Sequence, residues 1–302
     1  DRFNGKPIHR RMNTAFQRLN ELHTQLSAPP PLPRIGKWSV RAPIARGGIT
    51  DLYTVAVSDT AVESSILKIA RSAADNPLLA QEARALKALQ TNNGTGLDTM
   101  RNRFPQLIDK FEASGRAANV VSGTFGCHSL DHIPSRFPNG IPFVHIVWMT
   151  NRLLSGLAVA HETGIIYGAA LPNHLLFHLA GHGIVMVDWT CSVEFPSNGH
   201  IPLISKRWAA HYPPEVRKKE VYCATDLYMA AKTMLYAAGG IANVPRRFRG
   251  WFEWMTAESP HARPGNAWLA QDRWRWLAKE EYGEPKFVEF NLPMSVDVGA
   301  NE

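Results

Sequence analysis

The chain has 302 residues, 45% of them hydrophobic and 20% charged, and a net charge of +7. That length supports one large two-lobed domain or two small ones. No run of about 18 apolar residues stands out, so no membrane span is expected. The basic opening DRFNGKPIHRRMNTAF lacks the apolar core of a signal peptide, and Cys127, Cys191 and Cys223 are too scattered for a disulfide framework or a zinc site. Reduced thiols in a cytoplasmic protein are the expectation. Basic residues gather at Arg10–Arg11, Arg217–Lys219 and Arg246–Arg249 without any accompanying nucleic-acid motif, so nucleic acid is not an expected partner.

Met12 to Leu26 predicts an amphipathic helix, because Phe16, Leu19, Leu22 and Leu26 recur at spacings of three and four. The helix segment is taken as 1–27. SAPPPLPR then makes an extended proline-rich connector, 28–36. The main domain is expected over 37–280. Its first part, 37–127, reads as strands with one helix. WSVRAPIA and LYTVAVS flank the turn RGGIT, and ESSILKIA is a further strand. NPLLAQEARALKAL is a helix with Leu78, Leu79, Ala83, Leu86 and Leu89 on one stripe. FPQLIDKFEA and AANVVSG complete a small sheet. From 128 to 280 the pattern is mainly helical: FVHIVWMTNRLLSGLAVAHETG, ATDLYMAAKTMLYAA and FRGWFEWMTAES. Strands plus a helix followed by a helical lobe predict an α+β fold. The stretch 281–302 is a tail whose course is left open.

Several short motifs carry chemistry. Gly47 and Gly48 form a turn between two strands, where glycine lets a backbone approach a ligand closely. Lys68 sits inside the apolar strand SSILKIA, an unusual place for a lysine. Glu82 lies on the following helix. Asp188 ends the apolar strand IVMV. Before it comes YGAALPNHLLF, Tyr167 to Phe177. HYPPEV, ATDLY and SPHARP follow with Glu215, Asp226 and Arg263.

Taken in order, these motifs resemble the bacterial Ser/Thr protein kinases of the eukaryotic type, over roughly residues 37–280. The resemblance implies a bilobal fold with a small β-rich lobe and a larger helical lobe. It implies that Gly47, Gly48, Lys68, Glu82 and Asp188 bind ATP, and that Asp188 holds Mg²⁺. It further implies a structural Glu215–Arg263 pair and an Asp226 that anchors the catalytic loop. The family pattern His-Arg-Asp, four residues, then Asn falls on Tyr167, Gly168, Ala169 and His174. Ala169 cannot accept a proton, and an imidazole at 174 suits Mg²⁺ poorly. Asp-Phe-Gly becomes Asp188-Trp189-Thr190, and the first and third loop glycines become Ala45 and Thr50.

A catalytically impaired, nucleotide-binding pseudokinase acting on a protein partner is therefore expected. One alternative is a noncanonical phosphotransferase using Asp131 or His128 as its base. The other is an interaction protein without nucleotide, its pocket filled at Ala45, Thr50 or Trp189. Residues 1–26 resemble the third helix of a DnaJ-type J-domain, which implies a co-chaperone connection to a DnaK-type chaperone through residues before it. His178 and His182 of HLAGHG read as a turn between strands rather than a metal pair, and the C-terminal tryptophans Trp251, Trp254, Trp268, Trp274 and Trp276 as core.

Overall fold

A computed structural model describes residues 33–59, 61, 65–91, 98–133, 136–196 and 199–293. The expected amphipathic helix over 12–26, and with it the J-domain resemblance, lies outside the described residues.

The first lobe is a six-stranded antiparallel sheet: β1 (Arg34–Ile35), β2 (Trp38–Arg46), β3 (Thr50–Ala56), β4 (Ser65–Ala70), β5 (Leu107–Ala113) and β6 (Arg116–Ser122), in the order β1-β2-β3-β4-β6-β5. Two residues assigned to the connector, Arg34 and Ile35, thus belong to the sheet. Their carbonyls and amides find partners on β2, which a free connector would leave to water. Trp38, Val55, Leu67, Ile69 and Val120 form the core of this lobe. Trp38 also donates its indole N–H to Asp109 on the far strand, at 2.9 Å. Helix α1 (Asn76–Thr91) packs on β6 and buries Leu79, Ala83, Leu86 and Leu89, with Leu78 only partly covered. Glu82 lies buried on that same stripe.

The second lobe is built around α2 (Phe143–Glu162), which packs against α4 (Cys223–Ala237) and α6 (Ala267–Tyr282). The short helix α3 (Pro214–Arg217) precedes α4, and α5 (Arg246–Met255) lies between α4 and α6. By length and composition α2 is apolar enough to cross a bilayer, which the sequence reading overlooked; 67% of its most apolar window is buried inside the protein. Its apolar residues serve a lobe core. Two small sheets complete the lobe: β7 (His128–Ser129), β9 (Leu175–His178) and β10 (Gly183–Met186) form one, and β8 (Ile165–Ile166) pairs with β11 (Val193–Glu194). His178 ends β9 and His182 lies in the turn that leads to β10.

The end of the chain differs from a domain boundary at 280, and the first part of the tail, whose course the sequence left open, is described. Helix α6 runs to Tyr282, past the expected domain end. The tail then folds back over the second lobe, where Phe290 is buried and stacks on His145 at 4.2 Å. Among the tryptophans, Trp251 and Trp274 are core, with centroids 4.5 Å apart. Trp276 is not; it is 46% exposed beneath the Arg273 guanidinium. A cation on its face makes that exposed position tolerable.

Candidate functional site

The lobes meet at Lys68. Its position in mid-β4 places it between Leu52 and Asn119 of the neighbouring strands, with the side chain 8% exposed. Nζ lies 2.5 Å from Glu82 Oε1 and 3.0 Å from Asp188 Oδ1. Burial works against the ammonium, but Asp188 and Glu82 more than offset it and hold the pKa above the usual lysine value. Glu82 is kept in place from its other side: Asn119 donates to Oε2 at 3.1 Å, and the Trp189 amide to Oε1 at 3.3 Å. Asn119 was missed in the sequence. Its signal was a lone amide inside the apolar strand RAANVVS, meaningful only once β6 is seen beside β4.

Asp188 has φ +63°, a left-handed conformation uncommon for a non-glycine residue and a mark of local strain. That turn aims its carboxylate back at Lys68. Thr190 donates to Oδ1 at 2.8 Å, and His174 Nε2 stands 3.2 Å from Oδ2. Burial would raise the carboxyl pKa, but Lys68 and then His174 hold it well below the usual range. The donor set fits Mg²⁺ poorly. Mg²⁺ requires near-octahedral oxygen ligands, whereas Asp188 Oδ1 already accepts from Lys68 and Thr190 and the group beside Oδ2 is an imidazole nitrogen. Trp189, which the sequence offered as a pocket filler, packs into the core. It is fully buried, donating to the Met186 carbonyl and packing against Tyr167 and Phe104.

The loop before β9 explains its own sequence. Asp226 on α4 accepts the amides of Tyr167 and Gly168, each at 2.7 Å, and faces His161 Nε2 at 2.9 Å. Gly168 has φ +66°, and a Cβ there would meet the Cys191 carbonyl at 2.7 Å. An arginine at this position is therefore excluded by the backbone and not merely absent. Ala169 is 1% exposed and belongs to the lobe core. Its carbonyl lies 3.3 Å from His174 Nδ1, so one imidazole spans the loop and Asp188.

His161 carries a pH consequence. Burial disfavours its cation, but hydrogen bonds to Asp226 and Cys223 raise its pKa to about 9. The folded state then holds a proton that the unfolded state releases above about 6.5. Stability from this pair is complete below pH ~6.5 and is lost as pH rises through about 9, on the order of 3 kcal/mol in all. Unfolding midpoints measured from pH 6 to 9.5 should fall, and His161→Gln should flatten the decline. An unchanged slope in the variant would exclude this assignment.

Other motif residues have structural partners. Arg263 grips Glu215 with two hydrogen bonds, 2.6 and 3.1 Å, both side chains essentially inaccessible. Gly47 and Gly48 form the β2–β3 turn, where the Gly47 amide donates to the Thr50 carbonyl at 2.8 Å. Neither uses a left-handed φ, so the turn tolerates glycine without demanding it. Asp131 is held by Ser129 at 2.6 Å and Arg207 at 3.4 Å, an arrangement that keeps it in its own lobe.

No family model matches the chain, and no curated protein matches it. Solved structures do. A double mutant of the PknI kinase domain of Mycobacterium tuberculosis is 18% identical over 83% of this chain and 100% of its own, with TM-score 0.63. The unmutated PknI kinase domain is 17% identical over 83% and 100%, with TM-score 0.61. This is a protein-kinase-like fold. Within this fold, Lys68 contacts Glu82 and Asp188, Asp226 holds the amides of Tyr167 and Gly168, and Arg263 pairs with Glu215.

Proposed function

We propose that this chain is a pseudokinase module that binds a nucleotide and uses it to present a surface to a protein partner. The observation that carries this reading is the state of the loop: Ala169 is sealed in the core where a proton acceptor would be needed, while Lys68 and Glu82 keep their ion pair. Loss of a general base costs roughly 10²–10⁴-fold in rate. Loss of a second oxygen ligand for the metal adds to it. Lys68 would hold the phosphates of a bound nucleotide, exchanging its contact with Asp188 for them. Lys68 supplies positive charge beside Asp188, so nucleotide binding should not require Mg²⁺.

Two observations weigh on the alternatives. Asp131 is engaged by Ser129 and Arg207, which does not favour an alternative base. The closed Glu82–Lys68–Asp188 network is compatible with a scaffold that binds no nucleotide. Thermal unfolding separates these readings. Saturating ATP should raise the midpoint with or without Mg²⁺, about 2.7 kcal/mol at a hundred times Kd, and Lys68→Ala should abolish the rise. No shift at any ATP concentration favours the scaffold. Phosphate transfer dependent on Asp188 would overturn the pseudokinase reading. A cytoplasmic DnaK-type chaperone is the partner to test first by pull-down, on the J-domain resemblance of residues 1–26.

A further inference from the structure

A cavity of about 370 Å³ lies away from Lys68, between the turn Asp98–Arg103, helix α2 and the β9–β10 turn. Its lining includes Asn102, Arg103, Arg152, His178 and His182. Arg103 is 7% exposed, yet its Nη1 has no hydrogen-bond partner. The forces acting on that guanidinium are burial and a second cation, Arg152, which push its pKa down to about 10. Among the described residues neither arginine meets a carboxylate within salt-bridge distance. Arg152 spends its Nε on the His182 carbonyl at 3.2 Å. His182 also lines the cavity, its ring engaged with the Val288 backbone. The Gly181 amide donates to His178 Nδ1 at 3.0 Å, which leaves the proton of the neutral ring on Nε2 as a free donor.

A buried arginine without a counter-charge is costly in the empty protein, and such groups normally find partners. Planar guanidinium groups are suited to bidentate contacts with phosphate oxygens. The volume is that of a small-molecule site and too small for a folded partner. We infer that this cavity binds a small phosphate-class oxyanion, with Arg103 and Arg152 as its principal ligands. The position gives binding a route to the nucleotide site. β10 ends at Met186, two residues before Asp188, and the Asp98–Arg103 turn follows α1, which carries Glu82.

Thermal unfolding with pyrophosphate or inorganic phosphate, against sodium chloride at equal ionic strength, tests the site. Pyrophosphate should raise the midpoint of the wild type and of Lys68→Ala equally. Arg103→Met should unfold at the same or higher temperature without anion, because it removes an uncompensated buried charge, and should lose the pyrophosphate response. Arg152→Gln, which keeps an amide donor toward the His182 carbonyl, should weaken the response at least tenfold. A response to inorganic phosphate alone would mark a free-phosphate site, and one to pyrophosphate alone a diphosphate site. No response by the wild type at millimolar anion overturns the inference. So does a response that survives Arg103→Met, or one that disappears in Lys68→Ala.

Discussion

Ala169→Asp is expected to destabilise the protein at neutral pH without creating a kinase. Position 169 is 1% exposed and packed into the second lobe's core, so the new carboxyl enters an apolar site rather than a substrate cleft. Burial raises a carboxyl pKa, and a neutral acid without hydrogen-bond partners still costs about 1–3 kcal/mol. Ionisation would cost more, so the folded variant takes up a proton that the unfolded chain has released above pH ~4. The penalty is therefore smallest in acid and grows with pH, to roughly 2–4 kcal/mol by pH 7.5. Denaturant unfolding of variant and wild type at pH 5 and 7.5 checks both sign and size. Phosphate transfer gained by the single variant would mean that the loop opens to solvent and that position 169 is not sealed in the core. His174→Asn added to it would still leave Gly168, whose backbone admits no arginine.

The second large effect concerns the second lobe alone. Arg263→Ala strands Glu215, 3% exposed, without its bidentate partner. It also frees the carbonyls of Ala224, Ala257 and Glu258, which Arg263 satisfies now. Breaking one partner of a buried pair costs about 3–5 kcal/mol. For a chain of this size that corresponds to roughly 10 °C in Tm. Glu215→Ala should fall in the same range, because it leaves the guanidinium uncompensated. The double variant should lose less than the sum, since its second substitution removes a charge the first had orphaned. Additive losses would show that the pair is not coupled. Nucleotide-induced stabilisation, if present, should survive in both single variants, since neither touches Lys68.

Much of the fold was legible because its signals are local. Lys68 in an apolar strand, a helix after it and an Asp-ending strand later are statements about neighbours in sequence, and their order was specific. Gly168 was read as an arginine lost. In space it is a glycine required, because only the fold brings the Cys191 carbonyl against its Cα. Asn119 was invisible because its role depends on the register between β6 and β4, which pairs it with Lys68. The cationic cavity was equally hidden, since Arg103, Arg152 and His182 come from three separate elements.

By itself the sequence determined the two-lobed α+β plan and placed Lys68, Glu82, Asp188, Glu215, Asp226 and Arg263 in an order that resembles the kinase family. Periodicity, apolar runs and motif spacing report on which face of an element is buried, and those are properties of short segments. Tertiary structure alone decided that Ala169 is sealed in the core, that His174 turns onto Asp188, and that the tail closes over His145. Each depends on contacts between residues far apart in the chain, such as Lys68 and Asp188 at a separation of 120. Such contacts are set by how elements pack and register, which no local pattern encodes.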